Sequence, residues 1–429
     1  MITLTTSRYV GTMTSLNWAI CWAWHVFVLI VITVGCAFGA NGSPSSIRIQ
    51  PIKLWQHTYP GIIGVPSADG LQLTGVQGDK VFSVNLETGQ TVWQRDLSSY
   101  RTKQTGVDPS QSFQLFAPVI MPQGVVVAVT DDARARATGY VLNLDRSTGK
   151  TKWIYTSVLV SGGPDTRGGI LSPPALWRDR IIFRTGRGLT ALRATDGKEI
   201  WNVPFDPNGS VPLVLSAQPV GDDHALYFNA DYGIAYSFDP LDGHIIWSRP
   251  TKGFTFKQVA NVTETHFTFS TCSPLRLQDK IIVADGLSTI YAMRASDGAL
   301  LWEANTGYAF KLSAVGGDLY VGTHSGLWKL DAATGAVLRN YLVPNGIMSF
   351  VIEDNNAIVS RYLSGWGIIS LQDWQATWLD PKLSVSGITQ TGNLMCVSGY
   401  VNIDQHLGGL RVYKVPGNLN EQSEEPGLR

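Results

Sequence analysis

Cysteine is scarce in this chain of 429 residues. Of the four present, Cys21 and Cys36 fall in one apolar stretch, leaving only Cys272 and Cys396 elsewhere. No CxxC, no adjacent pair and no Cys/His cluster occurs, which excludes a structural zinc site and a disulfide framework. Charge is also thin. Charged residues make up 15% of the chain, and 33 basic residues balance 33 acidic ones. A general nucleic-acid binder carries a basic excess, so no nucleic-acid partner is expected. The seven His show no HxH or HExxH spacing, and neither a G-x-S-x-G elbow nor a G-x-x-x-x-G-K-[ST] loop is present. Metalloprotease, α/β-hydrolase and phosphate-loop chemistries are thereby removed. The acidic pairs Asp131-Asp132, Asp222-Asp223 and Glu353-Asp354 stand apart from one another and read as solvated turns, because a hard cation needs several oxygens converging on it.

Long apolar runs are missing too, with one exception. Residues 18–40, WAICWAWHVFVLIVITVGCAFGA, contain a single ionisable side chain, His25. About 20 such residues span a bilayer core. Trp18, Trp22 and Trp24 gather at one end as an interfacial belt would, and Arg8 precedes the run while no basic residue follows before Arg48. The expectation is an uncleaved single-pass anchor with the bulk of the chain outside the cytoplasm. A cleaved signal (secreted product) and a lipoprotein signal ending at Cys36 are the alternatives. The division expected is a tail at 1–17, this segment, a linker at 41–51, a folded region at 52–415 and a polar tail at 416–429.

Glycine and tryptophan are plentiful, at 44 and 14 residues, and they recur in one phrase. NLETGQTVW ends at Trp93, LDRSTGKTKW at Trp153, RATDGKEIW at Trp201, DPLDGHIIW at Trp247 and RASDGALLW at Trp302. DAATGAVLR keeps the turn but has Arg339 in place of Trp. Each phrase is an alternating run, a Thr-Gly or Asp-Gly turn and a second run closed by an aromatic, which is a β-hairpin. Gly supplies the positive φ, and the Asp or Thr before it can bond the turn backbone.

Upstream of each hairpin stands a further turn and a short apolar strand, from Asp69-Gly70 before LQLTGV to Gly392-Asn393 before LMCVSGY. Eight such units repeat about every 46 residues. Four short strands at that period are the pattern of a β-propeller. The eighth unit lacks a fourth strand. IKLWQHTYP at 52–60 has the form of one, so it should pair with 410–415 and close the ring, removing an exposed sheet edge. The fold expected is all-β: an eight-bladed propeller of four-stranded antiparallel blades, preceded by one hydrophobic helix. Trp55, Trp93, Trp153, Trp201, Trp247, Trp302 and Trp378 are its expected blade-packing residues.

Residues 52–415 resemble the eight-bladed family with pyrroloquinoline-quinone-like repeats, on the strength of the turns Gly89, Gly149, Gly197, Gly243 and Gly298 with their tryptophans. The resemblance implies one of two lives: a quinone-dependent dehydrogenase, or a non-catalytic scaffold like the outer-membrane assembly lipoproteins. The enzymes of the family are longer, and many carry an adjacent Cys-Cys pair that this chain lacks. Neither quinone nor calcium is therefore expected, and no catalytic residue is assigned. The expected role is an extracytoplasmic monomeric scaffold binding a protein or a cell-surface polymer, with a reduced quinone oxidoreductase or a subunit of an envelope assembly complex as alternatives. Length variation concentrates in 94–116, 131–139, 154–172, 248–268 and 399–409, which a propeller places on one face. Arg101, Lys103, Arg134, Arg136 and Arg167 lie there as candidate partner contacts. Cys272, in the first strand of blade 5, and Cys396, in the second strand of blade 8, are expected to be too far apart to bond.

Overall fold

A computed structural model describes residues 51–60, 64–100, 113–131, 138–157, 169–185, 188–204, 217–230, 234–251, 272–285, 288–361, 364–380, 384–402 and 407–415. They form an all-β propeller of eight antiparallel sheets. Blade 1 is typical: Ser67–Asp69, Gln72–Gln77, Lys80–Asn85 and Thr91–Asp96 pair in chain order from the innermost strand outward. Its two middle strands are almost wholly buried, while the outer strand buries only Trp93. Apolar side chains on both faces of a middle strand are what a sheet packed between two neighbouring sheets requires.

The core is accordingly a set of layers between blades rather than one centre. Leu73, Phe82, Val84 and Leu86 of blade 1 pack with Leu394, Cys396, Leu410 and Val412 of blade 8. On the other side, Val76, Val81 and Trp93 meet Val125, Val127, Leu142 and Leu144 of blade 2.

Closure comes from the N-terminal strand. Ser384–Thr391, Leu394–Asn402 and Leu407–Lys414 supply three strands of blade 8, and Ile52–Pro60 supplies the outer one. Its register runs from Ile52 opposite Lys414 to Pro60 opposite Leu407, with a bulge between Lys53 and Trp55. Both ends of the propeller thus meet in one sheet.

Two details depart from the sequence expectation. The innermost strand of blade 2 is split into Phe113–Leu115 and Val119–Met121, both pairing with Gly124–Asp131. Pro118 falls in the gap, where the missing N–H cannot extend the ladder. Cys272 lies just before the first strand of blade 5, Leu275–Leu277, and not in it. It packs between blades 5 and 6, whereas Cys396 packs between blades 8 and 1; both are free and buried. The segment 18–40 lies outside the described residues. Among the described residues no helix is long and apolar enough to cross a membrane.

Candidate functional site

The repeated turn is built as its chemistry suggests. In blade 2, Asp145 Oδ1 accepts from the backbone N–H groups of Ser147 and Thr148 and from both their hydroxyls. Those bonds hold its carboxyl well below the usual carboxylate range. The Gly149 N–H closes the turn on the Asp145 carbonyl at 2.9 Å. Gly149 has φ +69°, and equivalent glycines in five other turns lie between +69° and +80°.

A second constraint on these glycines is tertiary. A Cβ on Gly149 would lie 2.7 Å from the Trp93 ring of the preceding blade. The same holds for Gly89 over Trp55, Gly197 over Trp153, Gly243 over Trp201, Gly298 over Trp247 and Gly335 over Trp302, all between 2.5 and 2.8 Å. Each of these indoles also donates its Nε1–H to a carbonyl in the same turn. Trp55 reaches Leu86 O at 2.7 Å, Trp93 Arg146 O at 2.8 Å, Trp153 Ala194 O at 2.9 Å and Trp247 Ala295 O at 2.8 Å. Trp201 and Trp302 do the same to Pro240 O and Ala332 O at 3.2 Å. The phrase is therefore half of one clasp and half of the next. Its Gly receives the tryptophan of the blade before, and its own Trp reaches the blade after.

Two joints differ. Arg339 stands at the tryptophan position of blade 6, and Trp374 at the glycine position of blade 7, with φ +62° and the same turn-closing bond, here to Ser370 O. Arg339 lies 5.4 Å from the Trp374 ring centroid and donates to Asp373 O at 3.2 Å. The aromatic has changed sides of the joint. Trp378 of blade 7 has no turn to meet, because blade 8 takes its outer strand from the N-terminus. It packs instead on Gly367 of its own blade and under Arg361, 3.8 Å away. The joint to blade 8 is made by Trp366 against Tyr413, by Gln390 to Glu353 at 2.7 Å and by an Arg411–Asp380 ion pair.

The hairpin turns and the turns between first and second strands occupy one face of the disc, and their charges are largely spent on neighbours. Arg146 pairs with Asp69 at 2.7 Å, joining blades 2 and 1. Asp222, expected as a solvated turn residue, is instead half-buried and bonded to Arg276 of blade 5 at 2.6 Å. Burial raises its pKa, but the Arg276 bond and the His224 and Ala225 N–H groups outweigh burial and leave it lowered. An open cavity of about 690 Å³ between blades 1 and 2 has Leu71, Val92 and Pro122 as apolar walls. Its cations are engaged, Arg146 as above and Lys152 with Gln123 O at 2.5 Å. Arg101, Lys103, Arg134, Arg136 and Arg167 lie outside the described residues.

The profile of the family described as "Outer membrane protein assembly factor BamB" matches residues 52–209 and 164–341, more than half of the chain. The chain belongs to this family. A curated relative, outer membrane protein assembly factor BamB of Moranella endobia (strain PCIT), is 24% identical over 340 residues, covering 73% of this chain and 78% of that protein. The crystal structure of BamB from Moraxella catarrhalis superposes with a TM-score of 0.61 at 14% identity, covering 85% of this chain and all of that one. Quinohemoprotein alcohol dehydrogenase from Comamonas testosteroni superposes with a TM-score of 0.53 at 12% identity, over 85% of this chain and 68% of that one. At such identities the superpositions establish the fold alone.

Among the described residues no two thiols meet. The two thiols outside segment 18–40 belong to different blade joints, and burial pushes Cys272 up to about 12 and Cys396 higher still. Such thiols are inert packing groups. Asp239, Asp242 and His244 bring one ligand atom each within 4.8 Å of one another. One oxygen of each carboxylate is engaged within the hairpin: Asp239 Oδ1 accepts from Leu241 N–H, and Asp242 Oδ1 from His244 N–H. The grouping is a turn of the common kind.

Proposed function

We propose that this propeller is a non-catalytic scaffold of the cell envelope that acts in outer-membrane protein assembly by presenting its loop face to a protein partner. The match of residues 52–209 and 164–341 to the assembly-factor family carries this reading. The architecture supports it. One face of the disc is committed to clasps and ion pairs between blades, as with Trp93–Gly149 and Arg146–Asp69. The strands that flank the stretches of departing length end toward the other face, and loops on a rigid frame are the usual binding elements. Arg101, Lys103, Arg134, Arg136 and Arg167, close together in the order of blades 2 and 3, are the proposed contacts for an acidic surface of that partner. Residues 18–40 tether the propeller to a membrane, by lipidation at Cys36 or by spanning it, and the mass of the mature N-terminus distinguishes the two.

Photo-crosslinkers placed at 103, 134 and 167 in intact cells test the proposal. Adducts with one envelope protein, absent when the probe sits at Val92 on the outer rim, are expected. Uniform adducts at all four positions would remove the loop face from consideration. Quinone-dependent dye reduction after reconstitution with pyrroloquinoline quinone and calcium would replace the scaffold reading by an enzymatic one.

A further inference from the structure

Arg178 lies on the Trp177 ring, Arg276 on Tyr227 and Lys329 on Tyr320, and each of these cations also holds a carboxylate, of Asp223, Asp222 and Asp318 respectively. Arg361 is different. It lies 3.8 Å from the Trp378 ring centroid, nearer than any of those, and among the described residues no carboxylate meets it.

The local structure holds this arginine in place. Strand Asn356–Ser360 ends toward the face opposite the hairpin turns, and Arg361 is the first residue beyond it. Its N–H bonds Gly365 O at 2.9 Å, and its Nη2 donates to Ser364 O at 2.6 Å. Asn345, between the outer strand of blade 6 and the first strand of blade 7, bonds the Ser364 hydroxyl and steadies the loop from its other side. Trp378 can serve as the platform because blade 8 offers no hairpin turn for it to clasp. The guanidinium is thus oriented by the fold but poorly satisfied by it. Its Nε–H is buried with no acceptor, and Nη1 has none among the described residues either. Burial pulls its pKa down, with only the Tyr341 phenol acting against that among the described residues. Keeping a half-buried cation unpaired costs stability, and groups kept at such a cost gather at binding sites.

We propose that Arg361, on its Trp378 platform, receives a side-chain carboxylate of the protein partner. This rests on the reading of the loop face as the partner's face and names one contact on it. The planar donors of a guanidinium match a carboxylate, and stacking on an indole fixes their plane. A lone cation suits one negative charge rather than a phosphate dianion, and the described residues bring no second cation to Arg361. Apolar surface lies at the same end of the two outer strands. Leu342 in blade 6 is 64% exposed, and Leu379, beside Trp378 in blade 7, is 37% exposed. An arginine and a tryptophan ringed by apolar contacts have the composition of an interface hot spot.

Photo-crosslinkers at positions 342 and 379 of the full chain in intact cells should give an adduct with one envelope protein, and the captured peptide should contain Asp or Glu. Arg361→Gln should cut the adduct yield at least about tenfold while leaving the thermal midpoint at the wild-type value. Arg361→Lys should keep only part of the yield, because an ammonium neither forks nor stacks as a guanidinium does. Arg361→Glu should abolish the adduct, and changing the captured acidic residue to Lys should bring it back. An arginine that merely covered Trp378 would not answer to a change in the partner. If Arg361→Gln lowers the midpoint, the partner's Lys variant against the unaltered propeller makes the same test, with loss of the adduct expected. An adduct indifferent to Arg361→Gln, a captured peptide without a carboxylate, a charge swap that rescues nothing, or capture of lipid alone would each overturn the proposal. Adducts at 103, 134 and 167 with none at 342 and 379 would overturn it while leaving the loop face standing, and no adduct at any of these positions would remove that face as well.

Discussion

Six joints of the ring, from blade 8 through blade 1 to blade 6, share one clasp, and the two joints flanking blade 7 do not. In the first region an indole from the outer strand lies on a left-handed glycine of the next blade and bonds its turn, as Trp247 does with Gly298 and Ala295 O. In the second, Arg339 faces Trp374 across one joint, and Trp366 with Arg411 secures the other. The difference has a topological cause at blade 8. Borrowing the outer strand from the N-terminus removes the hairpin turn, and with it the glycine on which Trp378 would lie. The exchange at Arg339 and Trp374 shows the other half of the lesson: a joint needs one large planar group over a turn, and either blade can supply it.

The strongest way to break the comparison is to remove residues 51–60. This deletes the Trp55 clasp and strips the ladder partner from Leu407–Lys414. The propeller is expected to lose cooperative thermal unfolding and to aggregate through the new edge, read by calorimetry and light scattering. A full cooperative transition in the truncated chain would show that closure is made elsewhere. Next in size is Trp247→Ala, which empties a buried joint and should cost about 3–5 kcal/mol in denaturant unfolding. Trp378→Ala, outside the clasped region, should cost clearly less. Gly298→Ala should destabilise by about 2 kcal/mol, since a Cβ there is opposed by both φ +69° and the Trp247 ring at 2.7 Å. Gly392→Ala has the strained backbone but open space around it, so it should cost less than Gly298→Ala.

The smallest effect concerns pH. Asp222 has its pKa lowered, so its bond to Arg276 stabilises the folded state above the unfolded carboxylate pKa and is lost as pH falls through the folded value. Asp222→Asn is expected to cost about 1–2 kcal/mol at neutral pH, and the gap from wild type should close below about pH 4. A gap that does not change with pH would mean that the Asp222 carboxylate is not what joins the blades.

The blade count, the closing strand and the hairpin turns were legible because turn chemistry is local and recurs: Asp145 and Gly149 carry their instructions within five residues. The joint was only half legible. Both Gly149 and Trp93 were conspicuous, but their contact spans 56 residues of chain, and local φ already explained the glycine. The linking signal was the departure of both at once, Arg339 with Trp374, which marks them as partners. Asp222 escaped for a similar reason, since the arginine that half-buries it lies in the next blade. The candidate contacts Arg101, Lys103, Arg134, Arg136 and Arg167 fall in stretches of sequence that depart from the repeat, where no recurring turn chemistry fixes their place.

A double-mutant cycle at the exchanged joint tests the clasp most directly. Arg339→Trp alone crowds two indoles into one joint, and Trp374→Gly alone leaves the joint without an aromatic, so each should destabilise. Together they rebuild the arrangement of the other six joints. Denaturant unfolding of the four proteins should then show the double variant recovering at least about 1–2 kcal/mol relative to the sum of the singles. Strictly additive losses would contradict the claim that tryptophan and glycine act as a matched pair across the blades.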